Sequence, residues 1–153
     1  MKRIFELSHQ DVMTHSKEDL LKCIKGSEGR TIMAETVISS QSLVYGTSNP
    51  ETAAAFGADM ITLNTFDFLL PFVYGFEEMA REGENPANHY ALFSQFIEEK
   101  SKNPDYIRSL KNVLGRFVGV NMEPVPEGSD YPKGLQLSRE NLIRAKELGF
   151  DYI

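Results

Sequence analysis

The chain has 153 residues, 41% of them hydrophobic and 25% charged, and this length allows one domain with a substantial buried core. Its formal net charge of -6 argues against nucleic acid or an anionic membrane as a partner, because both require a basic surface. The single cysteine, Cys23, excludes an internal disulfide and a multi-cysteine zinc site, and it is typical of a reducing compartment.

The sequence offers neither a signal peptide nor a membrane span. The N-terminus MKRIFELSHQ is charged and is not followed by an apolar run. No stretch approaches the roughly 18 apolar residues that a spanning helix needs. We therefore predict a cytoplasmic protein that binds neither nucleic acid nor membrane.

The predicted elements begin with an N-terminal helical segment within residues 1–29, ahead of the first strand. Ser16 is placed as an N-cap with Asp19 at the capping-box position, and Gly26 ends this helix. Three later helices are predicted to begin at Asn49-Pro50, Asn85-Pro86 and Asn103-Pro104, because Asn caps a free N–H and Pro fits the first turn. A final helix is predicted from about Ser138 to Leu148.

Short apolar runs between these helices predict strands. The runs are TIMAETVI from Thr31, MITLNTF from Met60, FVGVNMEP from Phe117, and the stub DYI. They are mostly apolar on both faces, which is typical of parallel strands covered by helices. The alternation of strands and helices predicts an α/β fold with a parallel sheet, and we expect residues 1–153 to form a single α/β domain.

One type of helix-to-strand connection, called the hand-over below, occurs twice. AAAFGADMITLN, residues 53–64, and AKELGFDYI, residues 145–153, share helix residues, a Gly, one further residue, an Asp and a strand. In the second copy the strand has scarcely begun. We therefore expect the strand, and the chain, to continue beyond Ile153.

The segment from Thr65 to Gly83 is rich in aromatic residues and is interrupted by Pro71 and Gly75. A long loop after a strand is often functional or a lid. The alternative is that its apolar residues seal the end of the sheet. These residues are Phe66, Phe68, Leu69 and Phe72.

Polar residues follow the apolar strand runs. The carboxyl ends of parallel strands meet at one edge of a sheet, which is where such folds bind ligands. We predict Glu35, Asp67 and Glu123 as catalytic carboxylates that act as acid or base and hold Mg²⁺ through their oxygens. We predict Thr36, Asn64 and Asn121 as substrate-binding residues. The alternative is that the Asn and Asp residues cap turns and that Glu35 forms an ion pair.

The remaining motifs point to no other site. ETVISSQSLVYGTSN contains one Gly after the first strand, which excludes a Rossmann or P-loop phosphate motif there. Cys23 lies on the apolar stripe of the first helix, as a core residue would. His9, His15 and His89 are scattered along the sequence.

Four motifs, in order, resemble one known family. EGRTIMAETV, NPETAAAFGADMITLNTFD, VGVNMEP and AKELGFDYI look like the amino-terminal half of bacterial (β/α)₈-barrel proteins labelled phosphoenolpyruvate phosphonomutase-like, sometimes haloacid dehalogenase-like hydrolase. The resemblance implies that five of the predicted site residues line a barrel mouth: Glu35, Asn64, Asp67, Asn121 and Glu123. It also implies that GFDYI continues into a Gly/Asn/Thr-rich loop of phosphate-binding appearance, followed by further β/α units.

These observations lead to one function hypothesis and two alternatives. The chain is expected to be the N-terminal half of a metal-assisted TIM-barrel enzyme for a small phosphorylated or carboxylated metabolite, inactive alone. It would then associate with a second copy or belong to a longer polypeptide, because half a barrel leaves an open strand edge. The alternatives are a non-catalytic small-molecule-binding or regulatory module, and a complete open-sheet protein ending at Ile153.

Overall fold

The described part of the chain is an α/β fold built around a parallel three-stranded sheet. The computed structural model describes residues 2–76 and 103–153. The strands are β1 (Met33–Val37), β2 (Met60–Asn64) and β3 (Phe117–Val120), in the order β1-β2-β3, and both neighbouring pairs are parallel. The α/β class and the parallel pairing predicted from the sequence are therefore confirmed.

Both described ranges of the chain contain helices as well as strands. They are α1 (His9–Thr14), α2 (Lys17–Gly26), α3 (Asn49–Ala55), α4 (Tyr106–Leu114) and α5 (Arg139–Leu148). Short 3₁₀ turns lie at Ile4–Glu6 and Lys133–Leu135. None of the helices in these two ranges combines the length and the apolar character needed to cross a membrane.

A serine caps the start of both α2 and α3. At α2 the Ser16 hydroxyl accepts from the Asp19 N–H and donates to the Asp19 carboxylate, as predicted. The predicted cap of α3, Asn49, is wrong by one residue. Ser48 takes that position because it forms a capping box with Glu51, which leaves Asn49 inside the first turn.

Of the later helix starts, one differs from the prediction, one agrees with it and one lies outside the described residues. The Asn103 carboxamide oxygen accepts from the Asp105 N–H at 2.9 Å, so Asn103 closes a turn. The helix α4 begins at Tyr106, two residues after Pro104, which was predicted as its first residue. The final helix lies where it was predicted, at Arg139–Leu148, and Ser138 caps it by accepting from the Asn141 N–H at 3.1 Å. The pair Asn85-Pro86 lies outside the described residues.

The sheet has two different faces, because successive residues of a strand point to opposite sides. The helix face packs against α3, α4 and α5 in a buried apolar core. Its strand residues are Ala34, Thr36, Ile61, Leu63, Val118 and Val120. The open face is formed by Met33, Glu35, Val37, Met60, Thr62, Asn64, Phe117 and Gly119.

The N-terminal segment covers only part of the open face. Ile4, Val12, Leu20 and Cys23 pack against Met60 and Phe117, at the starts of β2 and β3. This core position agrees with the prediction for Cys23. Over β1 the same face is uncovered, since the side chains of Met33 and Val37 are 56% and 45% exposed. The described residues therefore leave the open face over β1, including its carboxyl half, uncovered.

The repeated hand-over from helix to strand has the same geometry in both copies. Gly57 and Gly149 have φ values of 96° and 91°, in a region that favours glycine. Asp59 and Asp151 each accept at 2.8 Å from a backbone N–H, Asp59 from Ile32, the residue just before β1, and Asp151 from Val118 in β3. The aspartate thus joins each new strand to the previous one.

The segment after the second hand-over lies where a fourth strand was predicted. Tyr152 forms a parallel bridge with Gly119, and its carbonyl accepts from the Val120 N–H at 3.2 Å. The hand-over of residues 145–153 therefore adds a fourth segment next to β3, in the same direction as the other strands.

The aromatic loop after β2 packs mainly against the core. Phe66, Phe68 and Phe72 are buried, and the Phe66 ring lies edge to face on Phe68 and Phe150 with centroids 5.3 and 5.2 Å apart. Leu69, in contrast, is 58% exposed. The sealing interpretation agrees with the burial of the three phenylalanines, of which Phe66 and Phe68 belong to the core cluster, and it is wrong for Leu69. Residues 77–83 of this loop lie outside the described residues.

Candidate functional site

Glu35 and Asn64 form the first polar pair of the open face. They lie on adjacent parallel strands, where Glu35 is opposite Thr62 and Asn64 is opposite Val37. The Asn64 side-chain amide donates to the Glu35 carboxylate, with 2.7 Å between Nδ2 and Oε1. The structure thus brings together two of the predicted site residues at the carboxyl end of the sheet.

Asn121 and Glu123 form a second pair of the same chemistry just after β3. The Asn121 amide donates to the Glu123 carboxylate, with 2.9 Å between Nδ2 and Oε1. Backbone hydrogen bonds hold both residues: Asn121 N–H donates to the Leu63 carbonyl at 2.9 Å, and Glu123 N–H donates to the Leu135 carbonyl at 3.0 Å. Each carboxylate is therefore oriented by an amide from a fixed backbone.

Asp67 has a structural partner instead. Its Oδ1 accepts from the Leu69 N–H at 2.7 Å, which fixes the turn after β2. The same carboxylate packs so closely on Gly134 that a Cβ there would come within 1.6 Å of Oδ1. This geometry agrees with the turn-capping alternative for Asp67.

Thr36 lies on the helix face, opposite Leu63, and so on the other side of β1 from Glu35. Its hydroxyl oxygen is buried and has no hydrogen-bond partner among the described residues. The structure therefore does not bring Thr36 together with Glu35, because consecutive strand residues point to opposite faces.

The three predicted metal ligands do not converge. Among residues 2–76 and 103–153 there is no group of three or more Asp, Glu, His or Cys side chains placed to hold a metal ion. Glu35 lies two strands from β3 at the level of Gly119, and Glu123 follows Gly119 by four residues. Their backbones are therefore about 10 Å apart across the sheet and about 13 Å apart along it. A magnesium ion here would be bound by one of these carboxylates, with water or ligand oxygens completing its coordination.

Thr62 and Tyr152 complete the polar part of the open face, and the sequence prediction did not include them. The Thr62 hydroxyl and the Tyr152 phenol are hydrogen bonded at 3.0 Å. Burial raises the pKa of the Tyr152 phenol to about 12, against the opposing effect of the Thr62 hydrogen bond. A glycine inside the strand run FVGV was the available signal, because such a glycine often marks the close approach of another group.

The charge of the polar site is uniformly acidic in the described part of the chain. Neither Glu35 nor Glu123 forms an ion pair there, whereas Lys111 and Asp151 form one on the far side of β3. Glu35 is exposed, and Glu123 is partly exposed. The carboxyl end of the open face therefore presents two carboxylates, two amides and two hydroxyls.

Two cavities lie away from these residues. One of about 380 Å³ is bounded by Phe68, Pro104 and Arg144, and one of about 260 Å³ lies between Phe5 and Arg116. None of the six predicted site residues lines either cavity. The polar site is instead an open surface of the sheet.

Comparison with known proteins gives a family. A family model described as a domain of unknown function, DUF7916, matches residues 5–153, which include all the residues of the polar site. No curated protein and no solved structure matches the chain. Since the matched residues make up almost the whole sequence, this chain belongs to the DUF7916 family.

Proposed function

We propose that the carboxyl end of the open face binds a small polar metabolite and that the chain is the N-terminal part of a TIM-barrel enzyme acting on it. The observation that carries this proposal is the pair of amide–carboxylate hydrogen bonds, Asn64 to Glu35 and Asn121 to Glu123. In parallel α/β folds this edge of the sheet is the usual ligand site. An amide orients its carboxylate there, and the carboxylate can accept a proton from the substrate.

The charge of the site supports Mg²⁺ as its cofactor. Glu35 and Glu123 have no cationic partner among the described residues, so an anionic substrate would be repelled by them. Glu35 would hold a Mg²⁺ ion at this edge of the sheet, and the charge of that ion would offset the repulsion between the carboxylates and an anionic substrate. The motif resemblance to phosphoenolpyruvate phosphonomutase-like barrels favours a phosphorylated or carboxylated substrate.

The proposed barrel accounts for the exposed side of β1. Met33 and Val37 lie on the open face and are 56% and 45% exposed, which is unusual for strand residues of a finished sheet. Further β/α units would cover them and would complete the site. The alternative is that a second copy of the chain covers this face. Sedimentation of the 153-residue chain would show this, since such a copy would give a concentration-dependent dimer.

A thermal-shift titration tests the ligand and the metal together. We expect Mg²⁺ with a small phosphorylated or carboxylated acid to raise the unfolding midpoint, and either component alone to raise it less. Glu35→Gln keeps the size of the side chain but removes its charge. Glu35 is the proposed Mg²⁺ ligand, so the variant loses a charged contact to the metal. If that contact contributes at least as much as a charged hydrogen bond, about 1.5–3 kcal/mol, binding should weaken by at least about 10- to 100-fold.

Glu18→Gln is the matched control, because Glu18 is an exposed glutamate in the first turn of α2, far from the polar site. It should bind the metal and acid as the unchanged chain does. No stabilisation by any combination of metal and acid, or equal affinity of Glu35→Gln and the unchanged chain, would contradict the proposal.

A non-catalytic binding module is the second candidate. It is favoured by the fact that each glutamate of the site is already hydrogen bonded to an asparagine, so neither is an unpaired base. Because the 153-residue chain is expected to be inactive alone, NMR spectra of the acid over time separate the two candidates in a polypeptide that carries the further β/α units. A module leaves the acid unchanged there, whereas the enzyme converts it.

A further inference from the structure

One row of residues crosses the whole open face at the level of Glu35. The strand register places Glu35 opposite Thr62, Thr62 opposite Gly119, and Gly119 opposite Tyr152. The row on the amino side is apolar, with Met33, Met60 and Phe117 in register. The Glu35 row is therefore the polar row nearest the amino ends of the strands, and the next row of this face toward those ends is apolar.

Gly119 makes this row possible. A Cβ at position 119 would lie 2.1 Å from the Tyr152 ring, so only glycine leaves room for the ring to cross β3. From there the phenol reaches Thr62, and the two hydroxyl oxygens are 3.0 Å apart. Thr62 is 8% exposed. The hydroxyl pair is thus fixed by backbone geometry and is placed next to Glu35.

The hydrogen-bonding capacity of this pair is only partly used. Two hydroxyls carry two hydrogens, and their mutual bond uses one of them, so one hydrogen and several lone pairs remain. The Tyr152 phenol keeps its proton at neutral pH, because its pKa is raised to about 12. A partner that both donates and accepts satisfies the remaining capacity better than a carbonyl, which only accepts.

We propose that Thr62 and Tyr152 determine the substrate class of the site by hydrogen-bonding a hydroxyl group of a small hydroxy acid. The acid carboxylate then lies toward Glu35 and Asn64, where Mg²⁺ and the amide hold it. This inference rests on the proposed function, which requires an acid and a metal at the same edge of the sheet. It adds that the acid must carry a hydroxyl.

Glycerate and propionate are suitable probes, because both are three-carbon acids and only glycerate carries hydroxyls. We expect the unchanged chain with Mg²⁺ to bind glycerate more tightly than propionate. Tyr152→Phe and Thr62→Val each remove one hydroxyl and keep the shape of the side chain. A hydrogen bond of about 0.5–1.5 kcal/mol corresponds to about 3- to 10-fold in affinity, so each variant should lose about that much for glycerate.

The propionate affinity of both variants should stay unchanged, and a purely structural role would not give this result. Thr14→Val is the matched control, since Thr14 is exposed at the end of α1 and bonds only within that helix. It should keep the preference for glycerate.

Three outcomes would overturn the inference. Equal binding of glycerate and propionate by the unchanged chain would refute the hydroxyl contact while leaving the metal-and-acid site intact. Equal weakening of both acids in the variants would show that the hydroxyl pair only supports the fold. Binding of no acid at all, with or without Mg²⁺, would reject the proposed function and this inference with it.

Discussion

Replacing Asp151 with alanine is expected to lower the free energy of unfolding by about 3–5 kcal/mol, because it leaves a buried ammonium without a counter-charge. The side chains of Lys111 and Asp151 are only 10% and 13% exposed and form an ion pair. Asp151 also accepts from the Val118 N–H at 2.8 Å, so this donor loses its partner as well. Urea unfolding of both chains measures the difference.

The repeated hand-over supplies the control for this variant. Asp59 occupies the equivalent position and accepts from the Ile32 N–H, but no lysine is paired with it among the described residues. Asp59→Ala should therefore cost about 0.5–1.5 kcal/mol, the net contribution of one hydrogen bond, because Ile32 is 59% exposed and water can replace the carboxylate at its N–H. Equal losses in the two variants would mean that the ion pair contributes nothing beyond the shared backbone contact.

Removing both charges should cost less than removing one. Burial raises the pKa of the Asp151 carboxyl, despite the opposing effect of the Lys111 ammonium, which indicates a real desolvation cost for the pair. Lys111→Met together with Asp151→Ala removes this cost and leaves only the Val118 donor unsatisfied. We expect the double variant to be more stable than Asp151→Ala alone.

Phe66→Ala is the second change with a large expected effect, about 3–5 kcal/mol. Phe66 is fully buried and packs edge to face on Phe68 and Phe150, so its removal leaves a cavity where the loop after β2 meets the segment after α5. Chemical denaturation of the variant measures the loss.

Leu69→Ala is the control from the same loop. Leu69 is 58% exposed, and its truncation should change stability by less than about 0.5 kcal/mol. A small loss for Phe66→Ala would contradict the sealing role of the aromatic loop. A large loss for Leu69→Ala would show that this loop packs against a surface outside the described residues.

The parts of the fold that depend on local pattern were predictable from the sequence. The hand-over from helix to strand needs a glycine with positive φ and an aspartate two residues later, and both copies have them. The Ser16 cap is equally local. Ser48 and Asn49 are both good capping residues, and the prediction of Asn49 overlooked Glu51, which follows Ser48 by three residues and completes its capping box.

The arrangement of the site depended on features that are not local. The strands are apolar on both faces, so the sequence did not indicate which side of β1 the helices would cover, and Glu35 and Thr36 were grouped although they lie on opposite faces. The contact between Thr62 and Tyr152 joins residues 90 positions apart. Asp67 looked like a site residue because it follows a strand, but its carboxylate bonds to the turn.

The most direct test of the proposed site is an NMR titration that follows the side-chain amide signals of Asn64 and Asn121. These amides donate to Glu35 and Glu123, so a ligand and Mg²⁺ at this edge of the sheet must disturb both. We expect both signals to shift with the same saturation curve when Mg²⁺ and glycerate are added, and to shift far less in Glu35→Gln. Unchanged amide signals, with shifts confined to residues around the cavity between Phe5 and Arg116, would contradict a site at the carboxyl end of the open face.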